Sequence, residues 1–306
     1  MYQFNNGTKR FGSAEDVSDR SLLCDDLFDD RYAGDLRRLN LSNNYLFTKV
    51  MEDRELCRRI LEEILQISIR KVVLVNTEES IRHLPDRKGI RMDVYVNDDE
   101  GTIYNVEMQT GNGDDLPKRA RYYQGTIDLD RLLAGGNYAE LKKTYIIFIC
   151  TFPLFGMDRH IYTFENTCEE DPILRLDDGT TKIFLSTCGK LDDISRELTE
   201  FLYYVENTTA EVAEKSGSPL VRETNRRVQE VKDTRKYQVE YMNLYMYEKE
   251  VERKARESGR AEGRSITKEE DIACMADFFM KEDQGLTRED AVAKATAVLL
   301  REGGSF

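Results

Sequence analysis

Residues 87–110, RKGIRMDVYVNDDEGTIYNVEMQT, carry the pattern that most restricts how this chain folds. Ile90, Met92, Val94 and Val96 alternate with Arg91, Asp93 and Tyr95. After a short polar break, Thr102, Tyr104, Val106 and Met108 alternate with Ile103, Asn105, Glu107 and Gln109. A period of two marks a pair of strands with two distinct faces. The break Asp98-Asp99-Glu100-Gly101 suits a three-residue hairpin loop whose glycine takes the left-handed position. In the register set by pairing Asp98 with Thr102, Asp93 falls directly opposite Glu107, and Gln109 shares their face. The two carboxylates then stand ~5 Å apart at Cβ, close enough to share one hard divalent cation. A slip of one residue would turn Glu107 to the opposite face and destroy the site. Charges on a hairpin usually form a solvated face, and facing acids without a cation repel. Here Met92 and Val94 flank Asp93, and Val106 and Met108 flank Glu107. Both acids interrupt apolar strands, so they need a cation or a proton.

The remaining elements assemble around this hairpin. Residues 1–36 are polar, with acids at Asp25, Asp26, Asp29 and Asp30, and read as a flexible arm. The capping residues Ser42, Asn43 and Asn44 predict a helix through Leu65, its inner face Leu46, Val50, Leu56, Ile60, Ile64 and Leu65. A short β-branched strand covers 71–75. A helix follows the hairpin over 116–133, opened by Pro117 and ended by Gly135-Gly136. Its first two turns carry Lys118, Arg119 and Arg121. Acids are the favoured residues at a helix start, so these basic residues point to an anionic partner. YIIFIC at 145–150 reads as a strand buried on both faces, and 182–185 begins another. A helix over 191–205 turns Ile194, Leu198, Phe201, Leu202 and Val205 inward. Helix, three strands, helix, strand is an α/β order with helices on both faces of a sheet.

Past Gly217-Ser218-Pro219 the chain becomes long charged helix. Val228, Val231, Val239, Met242 and Met246 form an apolar stripe suited to packing on the core or on a second subunit of a homodimer. Ser258-Gly259 and Glu262-Gly263 weaken that helix. Residues 266–300 read as two short helices around Gly285-Leu286-Thr287, with Thr287 and Asp290 as a capping box. Their acidic surface suits a protein partner. The expected organisation is an arm at 1–36, an α/β domain at 37–216 and a helical region at 217–306.

A net charge of −13 disfavours a broad nucleic-acid surface but leaves room for a local basic patch. Six scattered cysteines without a C-x-x-C pair read as reduced thiols. No apolar run reaches the length of a membrane span and no signal peptide is visible, so a cytoplasmic protein with no membrane contact is expected. His83 and His160 lack the spacing of a zinc site, and no G-x-x-x-x-G-K-[ST] loop is present.

Asp93, followed after the turn by Glu107-Met108-Gln109, resembles the PD-(D/E)XK nuclease signature. More narrowly, it is similar to the PD-(D/E)XK nuclease family transposases, or Rpn recombination-promoting nucleases, whose second half commonly reads E-x-Q. NYLF at 44–47 and the helix through Leu65 resemble that branch's opening helix. PKRARYY at 117–123 resembles the helix after its hairpin, and 241–264 its charged C-terminal helix. The likeness spans about 41–264. It implies a restriction-endonuclease-like core, a mixed central sheet flanked by helices, with a helical C-terminal extension. The activity implied is Mg²⁺-dependent DNA endonuclease, with Mn²⁺ as a substitute, hydrolysing phosphodiester bonds in recombination or on mobile DNA. Asp93, Glu107 and the main-chain carbonyl of Met108 are then the metal ligands, and Lys118, Arg119 and Arg121 the nucleic-acid contacts. Glu63, on the opening helix, is a further candidate beside the metal, although a plain surface role suits it better.

The chain departs from the general motif at two positions: Met92 replaces its proline and Gln109 its lysine. Glutamine can orient a water but carries no charge, which leaves Lys118, Arg119 or Arg121 to supply it. The alternative is a nuclease-fold protein that binds DNA or a protein partner without efficient cleavage. Gln109 and the acidic balance favour this second reading; the retained Asp93 and Glu107 favour the first.

Overall fold

The computed structural model describes residues 36–81, 89–111, 115–282 and 286–302. The arm expected over 1–36 therefore lies outside the described residues but for its last position. Contacts divide the chain into two compact units, Met1–Tyr241 and Met242–Phe306.

In the first unit, the single opening helix expected from the sequence is two helices, α1 (Asn44–Met51) and α2 (Arg54–Leu65). Local capping explains the break. Asp53 takes an extended conformation and its carboxylate accepts from the Glu55 and Leu56 N–H groups, both at 3.1 Å, which starts a new helix. Asn43 caps α1 in the same way.

Strand β1 (Val72–Ile81) is longer than the short strand expected, and it pairs with β2 (Ile90–Asp98). Strand β3 (Ile103–Gln109) returns antiparallel to β2 with Val94 opposite Val106 and Val96 opposite Tyr104, the register the sequence predicts. Gly101 closes the loop at φ +84°, donating to the Asp98 carbonyl, while the Asp98 carboxylate accepts from the Glu100 and Thr102 N–H groups and the Tyr104 hydroxyl. Four hydrogen bonds accepted by one aspartate pin the turn, and with it the register of both strands.

Helix α3 (Leu116–Arg131) carries the chain from β3 to β4 (Thr144–Cys150), which lies parallel to β3. Strand β6 (Thr180–Ser186) continues the parallel set. The four-residue β5 (Ile161–Phe164), which the sequence pattern does not predict, closes the edge antiparallel to β6. The sheet order is β1-β2-β3-β4-β6-β5. Every residue of β4 is buried, because helices cover both faces.

One core joins α1 and α2 to Val94, Val96, Val106, Met108 and Ile147. It also takes in α4 (Arg196–Glu206), α5 (Ala210–Lys215) and α6 (Pro219–Asp233). The other core packs Leu116, Ala120, Tyr123 and Ile127 of α3 on Tyr95, Ile103, Ile146 and Phe148. Ile90 and Met92 also join this second core, and burial alternates along Ile90–Val94 as the sequence pattern expects, with Arg91 exposed and Asp93 partly exposed. The mixed sheet between helices is the restriction-endonuclease-like architecture the resemblance implies.

Leu220, Val221, Val228 and Val231 of α6 sit within the first core. Helix α7 (Arg235–Glu282) begins in the first unit, where the Tyr45 hydroxyl of α1 donates to the Tyr237 carbonyl at 2.7 Å. The expectation that Gly259 and Gly263 weaken this helix fails, because α7 runs unbroken through both. Pairs one turn apart, including Arg253 with Glu250 and Glu257 and Arg256 with Glu252, support it before the glycines. The two short helices expected over 266–300 are accordingly the end of α7 and a separate α8 (Arg288–Glu302). Thr287 caps α8 by accepting from the Asp290 N–H at 3.2 Å. In this second unit Ala276, Ala291 and Ala295 pack with Ile272, Phe279 and Leu286.

Candidate active site

The β2–β3 ladder ends at Val94 and Val106, one step short of the two acids. There the acids replace main-chain pairing. The Asp93 N–H donates to Glu107 Oε1 at 3.1 Å, and the Met108 N–H donates to Asp93 Oδ2 at 3.0 Å. Each carboxylate is held by an amide of the opposite strand, and the pair closes the hairpin like a clasp. An extended residue turns its N–H and C=O to the same side of the strand, so the Met108 carbonyl also faces Asp93. The Met108 side chain is buried in the core on the other face.

Glu107 is only 1% exposed, whereas Asp93 is partly open to solvent. Burial, then the neighbouring Asp93 charge, pushes the Glu107 carboxyl up to about 8; the Asp93 amide, Asn105 and Arg119 offset this in part. Near neutral pH the isolated pair therefore carries a proton between its acids.

Helix α3 adds a positive charge on the same face. Arg119 Nη1 donates to Gln109 Oε1 at 2.9 Å and Nη2 to the Tyr123 hydroxyl at 3.2 Å, while Nη2 lies 3.8 Å from Glu107 Oε2. The guanidinium stacks 5.6 Å from the ring centroids of both Tyr123 and Phe148. Burial lowers the Arg119 pKa, but Tyr123, Glu107 and Asp115 outweigh it and leave the group firmly charged. Burial and Glu107 raise the Tyr123 hydroxyl, keeping it a proton donor.

Asp93, Glu107, Gln109 and Arg119 thus come together, with the Met108 main chain beside them. Lys118 and Arg121 are exposed on the outer side of α3 and do not reach the acids. Glu63 is not part of the group. Its side chain accepts from the Ser195 hydroxyl and lines a cavity with Ile161 and Thr163, at the β5 end of the sheet. Its helix packs on the core opposite α3, so it is a structural acceptor here. Sequence reasoning left two neighbours without a role. Tyr123 falls one helical turn after Arg119 on the inward stripe of α3. Asn105 precedes Glu107 by two residues on the same strand face.

A family model of PD-(D/E)XK nuclease family transposases matches residues 42–258 of the chain. The chain belongs to that family. No curated protein and no solved structure gives a match. The matched segment starts just before α1 and ends within α7, close to the span over which the sequence shows the likeness. PD-(D/E)XK nucleases generally use divalent metals, and the residues here fit one. The donors are all oxygens, from two carboxylates and a carbonyl, which suits a hard cation. A buried acid that holds its proton to about 8 beside another acid is relieved by a positive ion. Among the described residues no group of three or more His, Cys, Asp or Glu side chains gathers to hold a metal, and the candidate site itself offers two such side chains, Asp93 and Glu107. Also among them, no helix is long and apolar enough to cross a membrane, and Cys57, Cys150, Cys168, Cys188 and Cys274 are free thiols.

The raised carboxyl gives a stability test within this PD-(D/E)XK fold. Between the ordinary carboxylate range and about 8, the unfolded chain has released the Glu107 proton and the folded chain has kept it. The folded state therefore loses stability as pH rises through that window, by about 1.4 kcal/mol per pH unit. Glu107→Gln keeps the shape without the proton equilibrium. In EDTA it should raise the Tm relative to the parent at pH 8.5 and much less at pH 5.5. An equal Tm difference at both values, read by scanning calorimetry, would refute the protonated pair.

Proposed function

We propose that this protein is a divalent-cation-dependent DNA endonuclease of the cytoplasm, using Mg²⁺ with Mn²⁺ as a substitute, that acts in recombination or on mobile DNA. The observation that carries the reading is the clasp itself: Asp93 and Glu107 meet from two strands, share a face with Gln109, and receive one arginine. Asp93, Glu107 and the Met108 carbonyl would hold the cation. When bound, it would supply charge neutralisation at the phosphoryl oxygens and acidify a water. Gln109 has its side-chain oxygen held by Arg119, which leaves its amide N–H groups to orient a water or a phosphate oxygen. Arg119 supplies the fixed positive charge that the family motif places on lysine, from a helix instead of the strand. Tyr123 holds the second arm of that guanidinium, so the charge arrives in a set position.

Lys118 and Arg121 extend the positive surface outward from the acids, where a phosphate backbone would lie. Replacing both with alanine should weaken DNA binding on every sequence. The slope of log K against log salt should fall by ~1.8 for duplex DNA, ~0.9 for each of the two phosphates no longer neutralised. An unchanged slope would move the DNA surface elsewhere. The reaction is tested on supercoiled plasmid: nicking or cutting is expected with Mg²⁺ or Mn²⁺ and none with EDTA. The absence of strand breaks with either ion would favour a nuclease-fold binding protein, the reading supported by Gln109 in place of lysine.

A further inference from the structure

Asn105 is a buried polar residue that takes no part in the clasp. It sits in the middle of β3, is 0% exposed, and pairs in register with Tyr95. Neither its side-chain nitrogen nor its side-chain oxygen has a hydrogen-bond partner. Buried amides are nearly always satisfied, and an apolar side chain of the same shape would fit this strand better. Ile103 on the same face is apolar and buried, and Tyr95 opposite ties its hydroxyl to Arg131 at 2.5–2.9 Å. The fold therefore gains nothing from an amide at this position.

On its own strand face the next polar residue is the acid two positions on, Glu107. The two side chains stand on one face of β3, two residues apart, and neither polar atom of Asn105 makes a hydrogen bond. The carboxylate has one oxygen on the Asp93 N–H, and the other lies 3.8 Å from Arg119. We propose that Asn105 is a positioning residue for the cation site: its side-chain N–H donates to the Glu107 carboxylate when that carboxylate takes up a divalent ion. The amide then fixes which Glu107 oxygen faces the ion. In the metal-free protein it is a donor held in reserve, which accounts for its lack of a partner. This rests on the reading of Asp93 and Glu107 as cation ligands.

The test is binding of Mg²⁺ alone, followed on the full chain by the rise in Tm as MgCl₂ is added after EDTA stripping. Asn105→Leu keeps the branched skeleton and removes both unpartnered polar atoms, so its Tm in EDTA should equal or exceed that of the parent. Its apparent affinity for Mg²⁺ should fall at least ~10-fold, the scale on which residues that orient metal ligands act. At saturating Mg²⁺ its KM for DNA should stay at the parent value, because the buried amide touches no DNA. Asn105→Ala, which cannot overpack, should show the same loss of affinity. Parent-like Mg²⁺ affinity in either folded variant overturns the proposal. So does a fall in EDTA Tm in both, which would make the amide structural. A parent whose Tm ignores Mg²⁺ overturns the cation-site reading, and this inference with it.

Discussion

Asp93→Asn and Glu107→Gln should each lower DNA cleavage by about a thousandfold or more while the protein stays folded. The magnitude follows from the role proposed for the pair, since removing a single preorganised electrostatic interaction from an active site already costs ~10²–10³. A ligand that fixes the cation does more than one such interaction. Isosteres are the informative change because of how the clasp is built. Asp93 accepts from the Met108 N–H and Glu107 from the Asp93 N–H. Alanine at either position strands a main-chain donor at a cost of about 1–3 kcal/mol, so lost activity would be confounded with lost structure. The amides retain an acceptor oxygen and remove the charge. Nicking of plasmid in excess Mg²⁺, with Tm recorded in parallel, decides the matter. Either variant within tenfold of the parent at an undiminished Tm would place the chemistry elsewhere.

The hairpin was legible because two independent constraints agree on one register. The period of two assigns faces, and a three-residue loop ending in Gly101 fixes which residues pair. Once that register holds, the meeting of Asp93 and Glu107 follows from the number of residues alone. The direction of Arg119 was less accessible. Lys118, Arg119 and Arg121 look equivalent in sequence, and only the packing of Leu116, Ala120 and Ile127 decides which one turns toward the sheet. Glu63 lies away from the two acids for the same reason, because the apolar face of α2 commits it to the opposite core.

Elsewhere, local chemistry overrode the larger pattern. The hydrophobic periodicity runs on through Glu52 and Asp53, but the Asp53 cap divides it into two helices. Strand β5 has too few residues to show a period, and its place is set by pairing with β6. Glycines at 259 and 263 do not stop α7. A helix interior tolerates each at about 1 kcal/mol, and the preceding turns carry paired charges. Asn105 escaped notice because a polar residue on a strand reads as an outward position. Only the cover provided by α3 makes it buried and unpartnered.

Arg119→Ala should lower kcat by ~10²–10³ with little change in KM, the signature of an interaction that matters mainly in the transition state. Lysine should restore only part of the loss. A single ammonium cannot reproduce the fork that grips Gln109 and Tyr123 together, nor the stacking on Phe148. The same geometry settles what to expect of Gln109→Lys, which restores the family motif in name. Lysine there loses the acceptor that holds Arg119 and sets two cations side by side. The single change should therefore reduce cleavage, not raise it. Pairing it with Arg119→Gln removes the clash and moves the positive charge from α3 back to β3. If the site needs one cation beside Glu107 and is indifferent to which strand or helix supplies it, the double variant should recover to within about tenfold of the parent. Recovery would show the two positions acting as one unit, since neither change alone is tolerated. A double variant no better than Arg119→Ala would mean that Arg119 does more than carry charge. A parent without cleavage in which Gln109→Lys alone creates it would identify a binding protein on a nuclease scaffold.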